Sequence, residues 1–313
     1  VLATPTASST SLSEMSARLG REDIKPLLCT VSRWARNVAR GRDDRKQDIF
    51  PNRLIEGGTL GNSYEQQLVY NLFTNFIKAS RALGKDEEYR KKIRDMRNRL
   101  LGPKIGSWGQ LQEWAIDRDE PNDTHRHLSQ LIAVHPGNQI TPITTPELAE
   151  AARVSLNARG DGGTGWSKAW KISMWARLHD GNRAYKLLRE QIHGNHYGNL
   201  LGFHPPFQID GNFGYAAGVC EMLVQSQTGV VHLLPALPDA WNTGHVKGLK
   251  ARGAFVVDLS WKDGKLAEAK VHSLKGQRLV IKYGETYRAR KTAEGETLTF
   301  TADDFAVKRI HPE

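Results

Sequence analysis

Residue periodicity changes once along this chain, near Gly229, and the change restricts it to a helical part followed by a β part. Before it, Leu68, Val69, Leu72, Phe73, Phe76 and Ile77 recur at helical spacing. They predict a helix from Ser63 to about Leu83, stopped by Gly84. Asp86 is expected to cap a second helix, with Tyr89, Ile93, Met96 and Leu100 on its apolar side and Gly102-Pro103 at its end. Pro146 opens another over Glu147–Asn157, a position where its missing N–H costs little. Two more are predicted at Lys168–Leu178 and Arg183–Ile192, and a last one from Tyr215 to about Gln225. Beyond Gly229 the runs Val230–Leu234, Ala254–Trp261, Ala267–Ser273, Arg278–Lys282 and Thr297–Thr301 are short and rich in β-branched residues. Turns such as Asp263-Gly264 and Glu294-Gly295 separate them. The expected fold class is mainly α with a C-terminal β module, a small sandwich.

The densest chemistry lies where the two parts meet, in Gly202-Phe-His-Pro-Pro-Phe-Gln-Ile-Asp-Gly-Asn-Phe-Gly. Two prolines exclude a helix and three glycines admit backbone angles that other residues avoid. His204, Asp210 and Asn212 therefore read as residues of a loop that feeds the Tyr215 helix. Asp and Asn are favoured both as N-caps and in tight turns. A carboxylate held at a helix N-terminus is equally a candidate for chemistry, because the helix dipole favours an anion there.

Composition narrows the classes of function. The net charge is +10, but the basic residues are scattered, with local runs only near 33–46 and 90–99. No zinc-finger spacing and no alternation of aromatic and basic residues accompanies them, so a nucleic-acid partner is not expected. Cys29 and Cys220 fit no metal spacing and make no disulfide framework. No apolar run is long enough to span a bilayer, so no membrane role is expected either. Val1-Leu-Ala-Thr-Pro lacks the basic and apolar regions of a signal peptide. Residues 1–56 carry a Ser/Thr-rich stretch and a charge-dense run and are expected to be irregular.

Five stretches, the last of them within the segment just described, stand in order: Gly109-Gln-Leu-Gln-Glu-Trp, His125-Arg-His-Leu-Ser-Gln-Leu, His135-Pro-Gly-Asn-Gln-Ile, Gly163-Thr-Gly-Trp-Ser-Lys-Ala-Trp and Phe207-Gln-Ile-Asp-Gly-Asn-Phe-Gly. Together they resemble glycoside hydrolase family 95, the α-L-fucosidase family with a few α-L-galactosidases. Leu233-Leu-Pro-Ala-Leu-Pro and Gly248-Leu-Lys-Ala-Arg-Gly resemble the start of its C-terminal β-domain. The resemblance runs from about residue 57 to the C-terminus. It implies that 57–228 form the second half of an (α/α)6 toroid and 229–313 a β-sandwich, with 1–56 unmatched. It implies inverting hydrolysis of terminal α-linked L-fucose from an oligosaccharide or polysaccharide and a periplasmic or secreted setting; no cofactor or metal is expected.

By that resemblance Asp210 matches the carboxylate that activates the water together with an asparagine pair. Such chemistry suits an inverting site, where about 6.5–9.5 Å separates the two functional groups. Arg126 and His127 match positions that contact the sugar; a structural hydrogen-bond role for Arg126 is the alternative. His125-x-His127 also has the look of a zinc pair, but no third ligand stands at metal-site spacing. Glu113 reads as a cleft carboxylate or an ordinary salt-bridge partner. Trp166 reads as a sugar platform or as a core tryptophan that buries its loop. His204 and Asn212 complete the expected substrate-binding set. The family's general acid sits in a Ser-Pro-Glu-Asn-like motif that this sequence does not contain, and Glu56, the nearest glutamate, stands in a different context. The reading is therefore of a truncated fucosidase of doubtful activity, with a non-catalytic carbohydrate-binding protein or an inert remnant as the alternative.

Overall fold

In the computed structural model, which describes residues 62–306, the helices come first and the strands follow. The expected irregular segment 1–56, including Glu56, lies outside the described residues. The chain forms two compact units, one up to Asp119 and one from Glu120.

The first unit holds α1 (Ser63–Leu83) and α2 (Glu87–Arg97). The Oδ1 of Asn62 accepts the amide of Glu65 and caps α1. Gly84, in the left-handed region at φ 61°, ends the helix as expected. Val69, Phe73 and Ile77 pack on Ile93 and Met96, with Tyr89 and Leu100 partly buried around them. Asp86 precedes α2 but makes no side-chain cap, and the helix stops at Arg97, before Gly102.

The second unit opens with a 3-10 turn, Ser129–Leu131, and then α3 (Pro146–Arg159), α4 (Gly165–Arg177), α5 (Gly181–Gly194) and α6 (Ile209–Leu223). Helix α4 is central: every residue but Trp166 is buried. Such a helix must meet its neighbours closely, and α6 does so through glycine. A Cβ on Gly218 would fall 2.7 Å from the Cγ2 of Ile172, and one on Gly214 2.8 Å from the Cβ of Ala169. Gly218→Ala is accordingly expected to cost about 1–3 kcal/mol, the usual range for overpacking. Urea unfolding followed by far-UV circular dichroism measures it, and an unchanged midpoint would contradict the close approach. The guanidinium of Arg177 adds a buried tie, donating to both carboxylate oxygens of Glu221 on α6 and, at 3.0 Å, to the carbonyl of Gly137.

Eight strands follow: β1 (Val224–Gln225), β2 (Val231–Leu233), β3 (Gly244–Ala251), β4 (Phe255–Lys262), β5 (Lys265–Ser273), β6 (Arg278–Tyr283), β7 (Thr286–Lys291) and β8 (Thr297–Phe300). They make two four-stranded sheets, in the orders β1-β2-β6-β7 and β3-β4-β5-β8. One core joins the sheets: Val231, Leu233, Leu279 and Ile281 from the first, Phe255, Val257, Leu259, Ala269 and Val271 from the second. All pairings are antiparallel except β2 with β6. The chain is thus a helical segment followed by a β-sheet module, as the periodicity predicts. Three strands are additional. β1 is too short to show a period. β3 and β7 carry lysine, arginine and histidine on mostly exposed faces, so their apolar alternation is weak.

Candidate active site

Helix α6 begins at Ile209, six residues earlier than the predicted start at Tyr215. Pro205 and Pro206 exclude helix only up to themselves, and the Gly-Asn-Phe-Gly that reads as loop is helical because α4 packs against it. Asp210 and Asn212 therefore sit in the first turn of α6 rather than on a loop before it. Nor is Asp210 the N-cap; that position belongs to Gln208. The Gln208 side chain does not cap its own helix. Its Oε1 accepts the amide of Trp166 at 2.8 Å, while the backbone N–H of Gln208 donates to the carbonyl of Gly202 at 3.0 Å. One glutamine thereby joins the starts of α4 and α6.

Asn212 serves the same scaffold. Its Oδ1 accepts the amide of Gly202 at 2.8 Å and its Nδ2 donates to the carbonyl of Leu200 at 2.9 Å. Both ends of the amide thus hold the chain entering α6. Asp210 differs: its side chain is exposed and, among the described residues, has neither a hydrogen-bond nor an ion-pair partner. A helix start offers unpaired amides and the positive end of the dipole, a setting in which an unpartnered carboxylate is well supported.

Trp166, the second residue of α4, stacks on Trp170 with ring centroids 5.9 Å apart. A Cβ on Gly214 would lie 3.1 Å from its ring, so the indole is wedged between α4 and α6 and half-buried there. His204 is half-buried beside the first residue of α4; its Cβ lies 3.4 Å from where a Cβ on Gly165 would stand.

The His125–His127 loop is held from below by Arg159, the last residue of α3 and only 8% exposed. Its Nη2 meets the Asp123 carboxylate at 3.0 Å, and its Nη1 donates to the carbonyl of His127 at 3.0 Å and to that of His125 at 3.4 Å. The two imidazoles are 5.6 Å apart, and Nδ1 of His125 accepts the amide of His127. No group of three metal-ligating side chains occurs among the described residues. Burial holds the His127 imidazole below its ordinary pKa, and the positive charges of Arg126, His125, His204 and Lys171 add to that. A neutral ring both donates and accepts hydrogen bonds, as recognition of a polyol requires. The exposed Arg126 guanidinium has no partner among the described residues, so its donors are open.

The glycine-rich loop before α4 hangs on Lys171. This side chain is fully buried, and its Nζ donates to the carbonyls of Gly160 and Gly162, both at 2.7 Å. Burial lowers its pKa to about 8. On the outer side of the loop, Asp161 takes Arg183 at 2.9 Å and Lys186 at 2.5 Å.

Of the expected site residues, Trp166, His204, Asp210 and Asn212 gather at the adjoining starts of α4 and α6, and His127 lies within electrostatic reach of His204. Glu113 belongs to the other unit. It is half-buried, its amide donates to Asp119 at 3.0 Å, and its carbonyl accepts the amide of Ser63 at 2.9 Å. Beside it the Arg118 guanidinium covers the Trp114 ring at 4.2 Å. Three residues of the site escape a reading for chemistry: Gln208, Arg159 and Lys171. Lys171 leaves one trace, a lysine within the apolar run from Ala169 to Ala176.

Comparison with known proteins places the chain among its relatives. Residues 49–223 match the glycosyl hydrolase family 95 catalytic domain, and 225–310 match the glycoside hydrolase family 95 C-terminal domain. Alpha-L-fucosidase 2 of Arabidopsis thaliana is 39% identical over 249 residues, covering 75% of this chain and 30% of that protein. A probable alpha-fucosidase A of Aspergillus niger is 36% identical over 233 residues, 67% of this chain and 29% of its own length. The chain thus spans about a third or less of the length of these relatives. A solved structure, a putative kojibiose phosphorylase from the human microbiome, aligns at TM-score 0.47 and 9% identity over 77% of this chain and 36% of that one. The two family matches, meeting where α6 ends and β1 begins and together covering most of the chain, establish that it belongs to glycoside hydrolase family 95.

Proposed function

We propose that the chain is the base-bearing portion of an inverting glycosidase that removes terminal α-linked L-fucose from oligosaccharides or polysaccharides, with residues 57–228 as its catalytic part and 229–313 as its β module. One observation carries the reading. In the first turn of α6, where Gln208 and Asn212 spend their side chains on the scaffold, Asp210 presents a carboxylate that the described residues leave unpartnered. In this reading Asp210 polarises the group that activates the attacking water, while Arg126 and His127 hold sugar hydroxyls. Trp166 and His204 form the wall beside them. The names of the relatives support fucose as the sugar removed.

Inversion also needs a general acid, and the sequence has no Ser-Pro-Glu-Asn-like motif to supply it. Each acid–base group contributes about 10²–10⁴-fold. These 313 residues alone are therefore expected to bind L-fucose yet to release it from 2′-fucosyllactose at only a trace rate. Calorimetric titration with L-fucose and a coupled fucose-release assay measure the two properties. Turnover on the order of 10 per second, usual for enzymes, would overturn the reading that these residues lack the general acid. Folded protein without measurable fucose binding would overturn the sugar site itself.

A further inference from the structure

We infer that Arg159 is the positioning residue of the sugar-binding loop, the group that sets where Arg126 and His127 stand; the inference rests on the reading of those two residues as fucose contacts. A loop that must present an exposed guanidinium and a half-buried imidazole at fixed places needs a rigid support, since a small misplacement of a binding group is costly. Nothing in the composition of Asp123-Thr-His-Arg-His supplies one: it has no proline and is not helical. The support comes from the end of α3. The guanidinium of Arg159 reaches the loop at three points, the Asp123 carboxylate and the carbonyls of His125 and His127. Asp123 in turn accepts the amide of His125 at 2.8 Å, which closes a ring of contacts around the loop.

The planar fork of arginine suits this task. Its donors are fixed relative to one another, so satisfying three acceptors also fixes their mutual geometry. Lysine would supply the charge as a point and could not hold the same three. The carbonyls at 125 and 127 flank Arg126, so the fork grips the backbone on either side of the side chain proposed to meet the sugar. The same grip holds the His127 imidazole within electrostatic reach of His204 and Lys171, whose charges add to the burial that keeps its proton affinity low.

Three variants, Arg159→Gln, Arg159→Lys and Asp123→Asn, test this in the 313-residue chain. The readouts are thermal unfolding, L-fucose affinity by calorimetry, and the titration of the His127 ring by NMR. Arg159→Gln is expected to return the His127 titration toward its ordinary position and to weaken fucose binding at least tenfold. Arg159→Lys should recover part of the melting temperature but neither the titration nor the affinity. Asp123→Asn, a change at a partly exposed residue that keeps the acceptor for the His125 amide, should give the same effects in smaller measure and serves if the Arg159 variants do not fold. A melting temperature that falls while the His127 titration and the affinity stay put would reduce Arg159 to a stabilising residue and overturn the inference. Should the unaltered chain bind no fucose, the proposed function fails, yet the His127 titration still decides for or against Arg159.

Discussion

Asp210→Asn is expected to lower kcat by on the order of 10²-fold or more, with KM little changed, once the upstream part of a homologue's catalytic domain is fused to this chain to supply the acid. The substitution keeps the size of the side chain and removes only its charge. Because the exposed Asp210 side chain has no hydrogen-bond or ion-pair partner among the described residues, the change should leave α6 intact, and circular dichroism should be that of the parent. A loss confined to kcat is the mark of a charge that acts in the transition state rather than on bound sugar. His127→Ala in the same fusion should instead raise KM, since it removes contacts already made in the ground state. Steady-state kinetics on 2′-fucosyllactose separates the two. A folded Asp210→Asn fusion with near-parental kcat would reduce Asp210 to a residue that merely favours the start of a helix.

Acid should destabilise the second unit well before its carboxylates titrate. Three histidines are held neutral inside it. His135 is pushed down to about 3 by burial, with Arg177 adding to the effect. His232, on β2, is pushed down to about 3 by burial and by His179 and Lys282. His179, just after α4, is pushed down to about 4 by burial, Lys282 and Arg153, with the Gln225 amide and Glu285 opposing. The rings of His179 and His232 meet edge to face at 5.1 Å, which sets two imidazoles and two cations in one region. Their folded pKa values lie below the ordinary 6.5, so the unfolded chain binds more protons throughout the window between. The stability they contribute is therefore full above about pH 6.5 and falls as pH drops toward 4. Each histidine contributes on the order of 1 kcal/mol per pH unit within the window. For a unit of this size the melting temperature should fall by roughly 12–24 °C between pH 6.5 and pH 4.5. Scanning calorimetry across that range measures it. A double variant, His179→Gln with His232→Gln, should flatten the slope whatever it does to stability at pH 7.5. An unaltered slope would place the acid sensitivity elsewhere.

The division into helices and strands is legible in the sequence because burial on one face leaves a period, as at Leu72, Phe73, Phe76 and Ile77. It fails where burial is complete or absent. Helix α4 is buried all round and the β3 and β7 faces are mostly exposed, and neither pattern marks its boundaries well. The candidate site is legible as a set of residues, but their division of labour is not. Asp210 and Asn212 look alike in the sequence, two polar residues spaced by a glycine. Only the fold separates them, one bound to the backbone at 200 and 202 and the other left open. Arg159 acts on carbonyls 32 and 34 residues away and Lys171 on carbonyls of the loop before its own helix, and neither kind of partner leaves a periodic pattern.

Helix α6 passes into β1 without a connecting residue, Leu223 being followed at once by Val224, which pairs with Leu233. A helix on a flexible tether slides along its axis when pushed; this one is bolted at its far end to a hydrogen-bonded lattice. The height of Asp210 above the rest of the unit is then a mechanical property of the β module, fourteen residues down the same rod. Trimming the chain at the junction of the two family matches would not remove an accessory part. It would unseat the carboxylate at the opposite end.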